Sequence, residues 1–350
     1  MMSTTDTTAS NTAPLAGIAI VEMHAIGPVP FAGQLLRGLG ANVTRLSPPT
    51  DPGLGVGIDP QFDLSGAGKD TVYLDLKKPE DLERARTLIE GADVLLEGFR
   101  PGVMERLGLA PVDLLARNPR LVVGRLSGWG SRGPLAPRAG HDINYLAMAG
   151  LLNAIGTAGT PVPPLNVVGD YGGGAMHMAV GVLAQLVRRG IDGRGGIVES
   201  SILAGSVGLS PIFYGLAAAG LWAMGREVNL LDGGAPFYRV YPTSDGRFVA
   251  VGAIEPKFYA LLLKVTGLQG EIDPARQNDR ATWPETERRF ATRFAQRTRD
   301  AWARDAEGVD ACLSPVLDFM EAAAHPHNLA NDLYRSEPFP QPHRSIQFSR

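Results

Sequence analysis

Three side chains able to move protons stand where elements begin or end, each beside glycine or proline. His141 lies in Gly140-His141-Asp142-Ile143-Asn144-Tyr145, which opens a helix behind the loop Gly128-Trp-Gly-Ser-Arg-Gly-Pro134. At a helix N-terminus the positive end of the dipole disfavours imidazolium, leaving a neutral ring able to accept a proton. The same placement also describes a plain cap, with Asp142 in the first turn. Asp170 lies in Asn166-Val-Val-Gly-Asp-Tyr-Gly-Gly-Gly174, directly before an amphipathic helix expected over residues 175–189. It reads as an N-cap aspartate, or as an acid/base group where glycines allow close approach to a ligand. Glu255 follows an alternating strand over 248–254 and precedes Pro256, a helix start. It sits at a strand's carboxyl end, where α/β folds place catalytic groups, or serves as a first-turn glutamate. Spacing alone does not bring the three together.

Lys77, Arg100 and Arg106 border two strands and could hold a phosphorylated ligand, or be ordinary solvated charges. Other chemistries lack their motifs. There is no phosphate loop of the G-x-x-x-x-G-K-[ST] type, no G-x-S-x-G elbow and no H-E-x-x-H. The first strand–helix turn contains Pro28 and Pro30 where a dinucleotide fold needs backbone N–H groups. No metal-ligating cluster stands out, and Cys312, with Ala311 and Leu313 beside it, is expected as a small core residue.

These groups need a scaffold, and the sequence supplies one. The 350 residues are 44% hydrophobic and 20% charged, enough for a large core without staples. A net charge of −3 does not fit a general nucleic-acid binder. The 43 glycines and 27 prolines follow no triplet period and so mark turns between many elements. Residues 17–22, 42–46, 72–76, 93–97 and 121–126 read as strands, with helical spacing between them: an α/β fold with a parallel sheet. Residues 142–221 read as helical. The uncharged run 200–225 holds Pro211 and several glycines, so it is expected as a buried or interface helix pair and not a membrane span. Helices are expected from Pro256, Glu285 and Asp300, and the proline-rich end from Ser336 is expected to be extended. The expected organisation is a disordered leader over 1–14, with no signal-peptide pattern, then a large domain over 15–224. A small domain follows over 225–325, and 326–350 returns to the large domain.

Five stretches in this order resemble the class III CoA-transferase (CaiB/BaiF-type) family, in its α-methylacyl-CoA racemase branch. They are Asp93-Val-Leu-Leu-Glu-Gly-Phe-Arg-Pro-Gly102, Gly140-His-Asp-Ile-Asn-Tyr145, Val168-Gly-Asp-Tyr-Gly-Gly-Gly174, Leu231-Asp-Gly-Gly-Ala-Pro-Phe-Tyr238 and Val251-Gly-Ala-Ile-Glu-Pro256. The resemblance implies a Rossmann-like large domain, a smaller α/β domain and an interlocked homodimer with shared active sites. It implies an isomerase that inverts the alpha carbon of 2-methylacyl-CoA thioesters in fatty acid metabolism. His141 and Asp170 would be the acid/base pair, and Glu255 would come from the partner subunit. CoA would meet Leu74, Lys77, Arg100, Arg106 and the run Gly140, Asp142, Ile143, Asn144, Tyr145, with Asn166 lining the pocket. Backbone N–H groups at Gly172, Gly173 and Gly174 are candidate donors to an enolate oxygen. No cofactor or metal is implied, and the setting expected is cytoplasmic, without membrane or nucleic acid. The alternative within the family is CoA transfer with Asp170 as nucleophile. Two loops depart from the pattern: Ser47-Pro-Pro49 lacks a frequent arginine, and Ser65-Gly-Ala-Gly-Lys69 is less basic than Asn-Arg-Gly-Lys.

Overall fold

A computed structural model describes residues 13–50, 52–343 and 345–349, so most of the leader expected over 1–14 lies outside the described residues. Two compact units form. The first takes the chain up to Leu152, Pro163–Pro211 and the residues from Phe348; the second takes Asn153–Val162 and Ile212–Gln347. Residues 212–224, expected with the large domain, make their contacts in the second unit. There Phe213 packs on Trp222 at 4.9 Å between centroids, and Arg280 bonds the Leu221 carbonyl at 3.1 Å.

The first unit alternates strand and helix: β1 (Ala19–Met23), α1 (Pro28–Gly38), β2 (Asn42–Ser47), β3 (Asp70–Tyr73), α2 (Pro79–Glu90) and β4 (Val94–Glu97). It continues with α3 (Val103–Arg106), α4 (Pro111–Arg117), β5 (Val122–Ser127) and α5 (Asp142–Met148), and α6 (Leu151–Ala154) spans the boundary between the units. A π-helical segment (Val167–Met176) then leads into α7 (His177–Asp192), β6 (Gly196–Ser201) and α8 (Ile202–Gly208). The six strands are parallel in the order β3-β2-β1-β4-β5-β6. Chain direction across the sheet reverses between β1 and β4, and crevices at such a switch point hold ligands. Sequence reading missed β6. It is an edge strand whose Gly-Ile-Val-Glu-Ser-Ser pattern is half polar and carries no run of buried apolar residues.

Strand alternation sends residues to two cores. Ile20, Val94, Leu96 and Val122 pack with Val29 and Leu36 of α1 and Met178 and Val182 of α7. Val21, Met23, Leu95 and Val123 pack on the other face with Ile89, Met104 and Leu114. A Cβ at Gly124 would come within 2.9 Å of Val182, so glycine there brings α7 close to the sheet. The uncharged run divides: α8 buries Ile202, Gly205 and Ser206, whereas α9 (Pro211–Ala218) buries none. No helix among the described residues is long and apolar enough to cross a membrane.

The second unit holds an antiparallel sheet of β7 (Tyr238–Pro242), β8 (Phe248–Gly252) and β9 (Leu313–Pro315). Against it pack α10 (Pro256–Val265), α11 (Trp283–Phe294) and α12 (Arg299–Asp305) around Phe237, Tyr241, Tyr259, Phe290, Phe294 and Trp302. Cys312 is exposed at φ +47, not in the core, because the bend into β9 turns it outward.

Candidate active site

The loop after β1, the start of α5 and the π-helical segment meet around one carboxyl group, that of Asp170. The sequence places Asp170 ahead of a helix; in the structure it lies inside one. In a π-helix each N–H bonds the carbonyl five residues back, as Tyr171 N–H does to Asn166 O at 3.2 Å. Asp170 is therefore not a cap. Gly27, at φ +67, leaves room for its side chain, since a Cβ there would come within 3.1 Å of Oδ2. Phe31 of α1 stacks on Tyr171 at 4.2 Å and closes the segment against the first helix. Burial first, and then the charge of Asp142, push the Asp170 carboxyl up to about 6. A hydrogen bond from the Asn166 side chain and the charge of His141 act in the opposite sense.

His141 is the N-cap of α5, as expected, with its side chain exposed. Its backbone N–H donates to Asn144 Oδ1 at 3.0 Å, which fixes the entry of the chain into the helix. Tyr145 braces the loop from below: its hydroxyl donates to Gly140 O at 2.5 Å, and its ring meets Trp129 edge-on at 4.7 Å. A Cβ on Gly140 would come within 2.8 Å of Trp129, so this glycine serves packing. Burial and the Asp170 charge raise the Tyr145 phenol while Arg100 lowers it, which puts the turn after β4 within electrostatic reach of the site.

Asp142 joins the two halves. Its Oδ1 accepts from the backbone N–H of Asp170 at 2.7 Å, and the Gly169 N–H also bonds this carboxylate. From the sequence Asp142 is a first-turn acid, and the family resemblance makes it a CoA contact. The bond to a segment 28 residues away has no local signal.

The other expected residues fall into distinct settings. Asn166 bonds Asp170, Ile143 is exposed, and Asn144 is occupied in the cap. Leu74 is buried, so only its backbone could meet a ligand; Lys77 is exposed, with its N–H held by Asp75 at 3.2 Å. Arg100 and Arg106 are both exposed. A Cβ on Gly102 would lie 3.1 Å from Arg106 Nη1, so that side chain folds back over the turn carrying Arg100. Gly172 and Gly173 lie within the π-helical segment, where N–H groups serve the helix itself. Gly173 is there for packing: a Cβ on it would come within 2.7 Å of the Ser206 N of α8. Glu255 belongs to the second unit, exposed at the N-cap of α10, three residues beyond the end of β8. Met148 and Met176 are exposed and Met178 is core.

Lys69, in the less basic loop, does not face solvent. Its Nζ donates to Glu22 Oε2 at 2.7 Å and to Pro30 O at 2.8 Å, with both side chains fully buried. The pair ties that loop to β1 and α1, beneath the site. A separate cavity of about 560 Å³ opens at the carboxyl ends of β4, β5 and β6, lined by Glu97, Arg125, Glu199 and His177 among others. Neither His141 nor Asp170 lines it. Arg125 crosses it, bonding Glu97 at 2.6 Å and Glu105 at 3.2 Å, and so holds β4, α3 and β5 together.

Residues 15–349 match CoA-transferase family III. The chain is 43% identical to the alpha-methylacyl-CoA racemase of Mus musculus over 339 residues, which covers 96% of this chain and 87% of that protein. It is also 43% identical to the Homo sapiens alpha-methylacyl-CoA racemase over 317 residues, covering 90% of this chain and 80% of that protein. A crystal structure of a CAIB/BAIF family protein from Brucella suis shares the fold, with a TM-score of 0.80 at 23% identity over 96% of this chain and 93% of that one.

Proposed function

The chain belongs to CoA-transferase family III, and from that membership we propose that it is an isomerase that inverts the alpha carbon of 2-methylacyl-CoA thioesters. The observation that carries this reading is the junction at Asp142, which ties the helix of His141 to the segment of Asp170. Two proton carriers on neighbouring segments suit removal of a proton from one face and return of another to the opposite face. In one direction neutral His141 takes the alpha proton and protonated Asp170 delivers its own. In the other, the Asp170 carboxylate is the base and the imidazolium is the acid. The electron pair left by the proton moves onto the thioester oxygen as an enolate and returns to carbon on reprotonation. A carboxyl held at about 6 is accessible in both forms near neutral pH, which general acid–base transfer requires.

The enolate oxygen needs donors. The N–H groups of Gly172, Gly173 and Gly174 lie inside the π-helical segment and serve it. First-turn N–H groups have no intrahelical acceptor, and those of Asp142 and Ile143, next to His141, take this role instead. CoA is held by the segment around Leu74 and Lys77, by Arg100 and Arg106, and by the backbone of the run from Gly140 to Tyr145. Asn166 keeps the Asp170 carboxyl oriented. Glu255, supplied by the second chain of a homodimer, hydrogen-bonds His141 and fixes its ring. The reaction requires no cofactor or metal, because only protons move, and we place the enzyme in the cytoplasm.

The test is incubation with one epimer of a 2-methylacyl-CoA in D2O, followed by NMR at the alpha position. The expected result is loss of the alpha-proton signal together with appearance of the other epimer, with no acyl acceptor added. Exchange of labelled CoA only in the presence of a carboxylate acceptor would instead establish transfer, with Asp170 as nucleophile.

A further inference from the structure

We propose that Asp142 is a positioning residue for the proton-transfer pair: seated on the backbone of Gly169 and Asp170, it holds the two carrying segments in register and keeps a negative charge beside the Asp170 carboxyl. The inference rests on the isomerase reading and assigns Asp142 a task other than contacting CoA. A first-turn aspartate that only complemented the dipole of α5 could do so from solvent. Asp142 instead turns onto another segment and is half-buried there, 2.7 Å from the Asp170 nitrogen. The seat is shaped for it. Gly169 is buried, and a Cβ there would come within 2.3 Å of Asp142 Oδ1, so glycine is what allows the carboxylate to reach its N–H. The position of His141 and that of Asp170 are thus linked through the side chain of the residue that follows the histidine.

The charge has a second consequence. A like charge beside a carboxyl disfavours its ionised form. Among the described residues of this chain, Asp142 is the anion that acts on Asp170 in this sense. From α5 come His141, Asp142 and Tyr145; from α7 comes His177, whose Nδ1–H donates to Gly172 O at 2.9 Å. On α1, Arg37 is engaged with Gly68 O at 2.7 Å, and α8 has no ionisable residue. Glu199 of β6 faces Arg125 at 3.8 Å, Arg100 acts through Tyr145, and Tyr171 stacks on Phe31.

Neutral His141 with protonated Asp170, and imidazolium with carboxylate, carry the same number of protons. The rate in both directions therefore follows one bell-shaped pH profile, whose limbs belong to the pair. In Asp142→Asn the acid limb should move to lower pH by roughly 0.5–1 pH unit, equally in both directions. Asparagine still offers Oδ1 to the Asp170 N–H, so kcat should stay within about tenfold of the parent. In Asp142→Ala, with the seat empty, kcat should fall about 100-fold while KM for the acyl-CoA changes little. An acid limb unmoved in the asparagine variant overturns the proposal. So does an alanine variant that keeps kcat and raises KM, because that identifies a substrate contact. A 13C-NMR titration of the Asp170 carboxyl in the parent and in Asp142→Asn reads the same displacement without turnover. It decides the matter even if the parent fails to epimerise, an outcome that would count against the isomerase reading alone.

Discussion

Asp170 is held in a folded environment that favours its protonated form, and that carries a thermodynamic signature. Its carboxyl sits at about 6, above the model-peptide value, because burial and Asp142 penalise the charge. A raised folded value means that stability is fully present below pH 4 and is lost as pH rises through 6. Replacing Asp170 by asparagine removes that penalty. Asp170→Asn should therefore raise Tm at pH 8, by about 1 kcal/mol of stability after allowance for solvent screening, with no gain at pH 4. Thermal denaturation at the two pH values checks this, and a gain confined to pH 4 would contradict the assigned environment. The same variant, like His141→Ala, should abolish epimerisation in both directions, since inversion needs a carrier on each face of the carbon; sustained epimerisation in the double variant would remove both residues from the mechanism. Cys312 offers no competing nucleophile. Partial burial, then the charges of Glu255 and Asp310, raise its thiol and disfavour the thiolate.

At the scale of elements, the glycine run after Asp170 is explained by helix contact. A Cβ on Gly205 of α8 would come within 1.7 Å of the Gly173 carbonyl oxygen, so the backbones of α8 and the π-helical segment touch directly. Backbone cannot swing aside as a side-chain tip can. Gly205→Ala should cost about 3 kcal/mol and, by pushing the segment that carries Asp170, lower kcat as well. Gly190 of α7 is the control: nothing lies within 4 Å of a Cβ there. Gly190→Ala should stabilise by roughly 0.5–1 kcal/mol through helix propensity, with activity unchanged. Chemical denaturation of the two variants separates packing from propensity; equal effects would remove the contact argument. Wide helical turns with i to i+5 bonding recur at functional sites, and here the turn lets Asp170 be inside a helix yet meet the end of α5.

For the whole molecule, the proposed pairing of His141 with the partner's Glu255 makes a quantitative claim. Chains carrying His141→Ala and chains carrying Glu255→Ala should each be impaired alone. Co-expressed and randomly associated, half the dimers are mixed and each mixed dimer has one intact site, so roughly a quarter of parental activity should return. No recovery, despite dimers proven mixed by mass, would place both residues of each site on one chain.

The sequence by itself determined the ladder of elements. Apolar runs at period two, helical spacing between them, and proline or glycine at the joins encode β1 to β5 and their helices, because these signals are local. It also determined the chemistry on offer, since His141, Asp170 and Glu255 each stand at a join, and the order of five motifs gave the family. Only the tertiary structure decided what those residues experience. That Asp142 bonds the Asp170 segment, that Lys69 is buried on Glu22 and that Gly173 touches Gly205 all depend on partners 28 to 47 residues apart. Periodicity tells a side chain which way to face, but it says nothing of what waits on that side. Proton affinity, glycine placement and the exposure of Cys312 are properties of the neighbour across the fold, and the chain must close before that neighbour exists.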